Sequence, residues 1–175
     1  MIKLYLDMDG VLCNFDKAYK ALRTGAEDNP KRFRAAVMDY KIFEDLEFMP
    51  DTQELLNYVS KLDKDITIEI LTSKGTFDVD QGNEASRQKQ KWLNKWNIPY
   101  KANFVRSKEE KSKYADEFSI LVDDSVGCIT PFIAKSGHGI LHTSSSSSIQ
   151  QIHDTIRGIR GLRALKFSYD DMGAY

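Results

Sequence analysis

Asp7 and Asp9 stand two apart in IKLYLDMDGVLCNF, residues 2–15, behind a β-like run and directly ahead of Gly10. Residues two apart in extended chain face the same side, so the two carboxylates would share one face while Met8 turns into the core. Gly10 would let the backbone turn sharply and approach a ligand. A lone pair of this kind also ends many strands simply to solvate a loop. Its weight comes from three further clusters. Thr72 and Ser73 follow IEIL and offer hydroxyl donors to an anion. Asp123 and Asp124 follow SILV and form a second acidic pair, suited to a hard cation such as Mg²⁺, which takes a few carboxylates together with waters and phosphate oxygens. Between them SKEEKSKYADEF, residues 107–118, supplies lysines that could neutralise phosphate charge.

The elements that must position these groups follow from the hydrophobic pattern. Short apolar runs over 3–6, 67–71, 103–105, 119–122 and 139–141 predict strands, with helical patterns between them, the alternation of βα units around a parallel sheet. Leu55, Leu56, Val59 and Leu62 repeat on one face of a helix over 52–62. A second helix is expected over 84–96, with Trp92, Leu93 and Trp96 apolar and Arg87, Lys89, Lys91 and Lys95 mostly on a solvated face. The roughly 40 residues between the first strand and the helix at Thr52 far exceed an ordinary βα loop. They predict a helical cap at 16–50, with helices over 16–22 and 31–40 split by GAEDNP, set into a core of 1–15 and 51–175. Near the end, Ser148 with Gln151 makes a capping-box pattern for a last helix. KFSYDDMGAY carries no readable role.

Bulk properties narrow the function. The chain has 175 residues, 41 % of them hydrophobic, enough for one sizeable core. Its 25 basic and 26 acidic side chains nearly cancel, which disfavours a nucleic-acid or anionic-membrane partner. Cys13 and Cys128 have no zinc-ligand spacing and read as small buried hydrophobes in a reducing compartment. The opening run is unlike a signal peptide and no stretch approaches a membrane span, so a cytoplasmic location is expected. His138, His142 and His153 form no ligand set with the acidic residues. No pattern sets an oligomeric state.

From DMDGVL through LTS and the lysine-rich segment to LVDDS, the chain resembles the haloacid dehalogenase superfamily of phosphotransferases. The NF after the first motif and IFEDLEFMP resemble its 5′(3′)-deoxyribonucleotidase branch, although Glu47 and Phe48 stand where that branch has a proline-rich step. The resemblance implies a doubly wound α/β core with a cap after the first strand. It implies that Asp7 is the nucleophile forming an aspartyl phosphate and that Asp9 protonates the leaving oxygen and then activates water. Thr72, with Ser73, would bind the phosphoryl group. Mg²⁺ would be held by Asp7, the carbonyl of Asp9 and Asp124, with Asp123 a ligand through water or a guide for the lysine. That lysine is Lys111 by helical phase with Tyr114 and Phe118, with Lys113 the fallback and Lys108 a weaker choice.

Phe15, Phe43 and Phe48 are the candidates for an aromatic wall under a nucleobase, and Lys17 and Arg34 for phosphate or sugar contact; ordinary core and surface roles compete for each. The resulting expectation is a Mg²⁺-dependent phosphatase acting on a small phosphomonoester, a nucleoside monophosphate first, with a sugar phosphate or polynucleotide 3′-phosphate as the alternative. A phospho-accepting signalling receiver uses similar groups in another order, with its acidic pair first.

Overall fold

The computed structural model describes the backbone of residues 1–172 and side chains through residue 167. The last residues of KFSYDDMGAY lie outside the described residues. Five strands, β1 (Ile2–Leu6), β2 (Ile66–Ser73), β3 (Lys101–Val105), β4 (Ser119–Asp123) and β5 (His138–Leu141), form one parallel sheet in the order β3-β2-β1-β4-β5. Leu4 in the central strand lies opposite Ile68 of β2 and Ile120 of β4. Every expected strand is present, each longer by one to three residues.

The helices are α1 (Phe15–Ala21), α2 (Asn29–Met38), α3 (Thr52–Val59), α4 (Val79–Lys95), α5 (Val126–Ala134) and α6 (Ser145–Met172). Strand alternation sends Leu4, Leu6, Ile70, Ile120 and Val122 into a core shared with Leu55 of α3, Trp92 of α4 and Ile152 of α6. Tyr5, Leu71 and Leu121 face the other way, against Cys128, Ile129 and Phe132 of α5. A parallel sheet covered on both faces is the doubly wound α/β arrangement. No helix among the described residues is long and apolar enough to cross a membrane.

Three local readings need correction. Helix α4 begins at Val79, capped by Asp78, whose carboxylate accepts from the Gln81 amide at 2.8 Å; the expected start at 84 missed this cap. Helix α5 has no counterpart in the sequence reading, because Pro131 in its interior marks a break by propensity. Helix α6 starts before Ser148, which is buried with its hydroxyl 2.7 Å from His142 Nδ1 instead of capping. The Ser145 amide and hydroxyl anchor that end by donating to the carboxylate and carbonyl of Asp51 at 2.6 and 2.8 Å.

Between β1 and α3 lie α1, α2 and a 3₁₀ turn, Ile42–Glu44. The two ends of this segment are zipped together, the Asn14 amide donating to Glu47 O at 2.8 Å and the Met49 amide to Leu12 O at 3.1 Å. Its far side rests on α4, where buried Gln88 accepts from the Phe43 amide and donates to Val37 O. The Trp92 indole N–H donates to Leu46 O at 2.8 Å. These bonds hold the segment over the carboxyl ends of β1 and β2.

Candidate active site

Asp7 follows the last residue of β1, its amide donating to Val122 O of β4 at 3.0 Å. Asp123 ends β4, and Asp124 follows it. Ligand oxygens of Asp7, Asp123 and Asp124 lie within 4.8 Å of one another. In chain order the sheet runs from β1 outward to β3, then crosses back to β4, so this meeting point is where the strand order reverses and where such sheets bind ligands. Gly10 makes room for it: its φ is +80°, and a Cβ there would stand 2.0 Å from Asp124 Oδ2.

Lys111 sits in a 3₁₀ turn, Glu109–Tyr114, and is almost fully buried. Its ammonium lies 2.8 Å from Asp7 Oδ1 and 2.6 Å from Asp123 Oδ2. Burial alone would depress its pKa, but Asp7 and Asp123 more than offset this and raise it. The Ser125 amide donates to the other oxygen of Asp123 at 2.9 Å, so both oxygens of Asp123 have partners. Burial, then Asp7, pushes Asp123 above the usual carboxylate range, against the pull of Lys111. Asp124 makes no hydrogen bond among the described residues, and burial, followed by Asp7 and Asp123, pushes it up to about 6. Such crowding of carboxylates invites a cation, and the all-oxygen donor set fits a hard one. Lys113 points away, 68 % exposed and paired with Glu110, whereas Lys108 reaches the cavity rim and donates to Ser125 Oγ at 3.1 Å.

The sequence reading missed one charged group. Lys89 of α4, expected on the solvated face with Arg87, Lys91 and Lys95, is fully buried, while those three are about half exposed. Its ammonium donates to Asp9 Oδ2 at 2.7 Å, Thr72 Oγ1 at 2.8 Å and Ser73 O at 2.9 Å. The signal was its spacing, four residues after Ala85 and three before Trp92, both buried on the same helix. Thr72 is accordingly fully buried behind Asp9 and does not line the cavity, as its expected phosphate contact would require. Ser73 does line it, its hydroxyl accepting from the Gly75 amide at 3.0 Å.

Asp7 and Asp9 lie in a cavity of about 640 Å³. Phe15 and Phe43 line it, stacked at 5.3 Å between ring centroids, with Phe33 edge-on to both. Phe43 is only 2 % exposed, so most of its ring serves the core. Phe48 does not face the cavity: its ring packs on Trp92 and Trp96 at 5.6 and 4.5 Å, which removes it from the aromatic wall. Phe77, in the loop after β2, lines the cavity at 67 % exposure with the Arg106 guanidinium 5.4 Å from its ring centre. Neither it nor Phe33 was distinguishable in sequence from an ordinary hydrophobic residue. Lys17 and Arg34 form exposed ion pairs with Glu47 and Asp78. The two cysteines are buried free thiols, Cys128 pushed up to about 12 chiefly by burial.

No protein-family model matches the chain. No curated protein matches it. Among solved structures it is similar to a hydrolase from Streptococcus pneumoniae TIGR4, with 15 % identity, a TM-score of 0.52 and coverage of 87 % of this chain and 97 % of that one. At that identity the likeness is one of fold.

Proposed function

We propose that the protein is a Mg²⁺-dependent phosphomonoester hydrolase of the haloacid dehalogenase type, acting on a nucleoside monophosphate through an aspartyl phosphate. The observation that carries this reading is the convergence of Asp7, Asp123 and Asp124 around buried Lys111 at the reversal of strand order, with Asp9 two residues beyond the nucleophile. The fold likeness to a hydrolase supports it.

An oxygen of Asp7 attacks phosphorus, and the ester P–O bond breaks as Asp9 gives a proton to the leaving oxygen. Water then attacks the phosphorus of the aspartyl phosphate, Asp9 takes its proton, and the bond from phosphorus to Asp7 breaks to release inorganic phosphate. Lys111 fixes the Asp7 carboxylate and offers positive charge beside the phosphoryl oxygens, the kind of charge compensation on which phosphoryl transfer depends. Ser73, which lines the cavity, takes the phosphate-binding role expected first of Thr72. Asp7, the carbonyl of Asp9 and Asp124 would hold Mg²⁺, with Asp123 orienting Lys111. The bound ion would neutralise phosphoryl charge and align the ester with Asp7.

The cavity is of the size that small-molecule sites have. Phe15 and Phe33 on the cap side and Phe77 on the core side suit a planar group beyond the phosphate. Steady-state phosphate release from a panel of nucleoside monophosphates, sugar phosphates and a 3′-phosphorylated oligonucleotide, with Mg²⁺, tests the assignment. Turnover highest on the nucleotides is expected; a single phosphorylation event without release would identify a switch instead of an enzyme.

A further inference from the structure

Lys89 is a second buried ammonium, distinct from the one beside Asp7. Burying a lysine is costly unless its donors are all satisfied. Here the three N–H groups are divided among Asp9 Oδ2, Thr72 Oγ1 and the Ser73 carbonyl, at 2.7, 2.8 and 2.9 Å. The bonds tie the loop after β1 to the end of β2. The Phe43 ring lies over the ammonium, 4.5 Å from its centre. Asp9 itself remains about 30 % exposed by its side chain. Its other oxygen, Oδ1, receives only the weak thiol donor of Cys13 at 3.5 Å among the described residues.

We propose that Lys89 is the positioning residue for Asp9: by occupying Oδ2 from behind, it fixes the carboxyl rotamer and leaves Oδ1 to exchange a proton with the leaving oxygen and then with water. The proposal rests on the phosphatase reading. It gives α4 a part in the chemistry, because the helix that carries the inserted segment also carries this lysine. Asp9 is therefore aligned only when α4 and the ends of β1 and β2 are in register.

The consequence is selective. An alkyl phosphate needs its leaving oxygen protonated, whereas a nitrophenyl phosphate expels a stable phenolate and depends far less on an acid. Positioned general acids contribute about 10²–10⁴-fold. Lys89→Met should therefore lower kcat/KM, which reports the transfer step because the leaving group departs before hydrolysis, at least about 100-fold on an alkyl monoester and by no more than about tenfold on nitrophenyl phosphate. In an Asp9→Asn background, adding Lys89→Met should change kcat/KM on the alkyl monoester by less than about twofold, since two residues acting as one unit do not add. Equal losses on both esters, or the same loss with and without Asp9, would overturn the positioning role and leave Lys89 as scaffold. If Lys89→Met does not fold, Lys89→Gln, which keeps an amide donor, carries the same comparison. A wild-type protein that releases phosphate from neither ester fails the phosphatase reading itself; an active wild type with an unchanged ester ratio in the variant fails only the proposal for Lys89.

Discussion

An alanine Cβ at position 10 would fall 2.0 Å from Asp124 Oδ2, at a backbone φ of +80°. Gly10→Ala should therefore displace Asp124, which has neither a hydrogen-bond nor an ion-pair partner among the described residues, weakening Mg²⁺ binding at least tenfold in a calorimetric titration, roughly the effect of losing about 1.4 kcal/mol. The lysines give a sharper contrast. Lys111→Ala strands Asp7 and Asp123 without their shared cation, and breaking such a buried arrangement costs about 3–5 kcal/mol. Lys113→Ala removes one exposed pair with Glu110 and should stay within about 0.5 kcal/mol. Comparable melting temperatures for the two variants would contradict this ranking. Lys111 was picked out by helical phase with Tyr114 and Phe118, but the turn is 3₁₀ and ends at Tyr114, and Phe118 packs in the other core, so only Tyr114, one 3₁₀ turn on, shares its side. Lys89 obeys the same logic against Trp92, yet its charge favoured a solvated reading. Two of its acceptors, Asp9 and Thr72, are 80 and 17 residues away, and a helical pattern carries no record of what the sheet presents to it.

The joint between the segment 15–44 and α4 decides what lies above the cavity at Asp7 and Asp9. Gln88 is fully buried and bonds to both Val37 O and the Phe43 amide, so Gln88→Ala leaves two buried backbone groups unsatisfied. Each such group costs about 1–3 kcal/mol. The expected result is faster amide hydrogen exchange across residues 35–46, with the sheet unchanged. Phe43→Ala is a poor test of recognition, because this nearly buried ring packs on Phe15, Phe33 and Lys89 and its loss would damage the core. Phe77 is exposed, so Phe77→Ala isolates the contact. If a base stacks there, KM for a nucleotide should rise by the equivalent of about 1–3 kcal/mol with the melting temperature unchanged; an unaltered KM would remove the loop after β2 from recognition. At this scale the strands were legible, since apolar runs are a local property. Helix α5 and the start of α6 were not. Pro131 hides the first, and the second is set by Asp51, 94 residues from Ser145.

Across the whole molecule, 25 basic side chains nearly balance 26 acidic ones, but the fold gathers Asp7, Asp9, Asp123 and Asp124 around Lys89 and Lys111, the two buried ammonium groups among the described residues. The imbalance arises because the reversal of strand order brings the ends of β1 and β4 together, 116 residues apart between Asp7 and Asp123. A bound divalent cation compensates that charge in the folded state alone, so it should stabilise the entire fold. At a free concentration about 100 times its dissociation constant the gain is about 2.7 kcal/mol, or about 5–11 °C in melting temperature for a domain of this size. The gain depends on pH through Asp124. Its folded pKa, about 6, lies above the ordinary unfolded carboxylate value, so in the metal-free protein its contribution is fully present below the unfolded pKa and is lost as pH rises through about 6. A cation must displace that proton. The Mg²⁺-induced rise in melting temperature should thus be small at pH 5, grow through pH 6 and level off above pH 7, while Asp124→Asn should flatten the profile and weaken the response. EDTA should reverse the stabilisation, and Ca²⁺, which takes more ligands at longer distances, should reproduce it less well. A rise equal at pH 5 and pH 7.5 in the unmodified protein would place the cation away from Asp124.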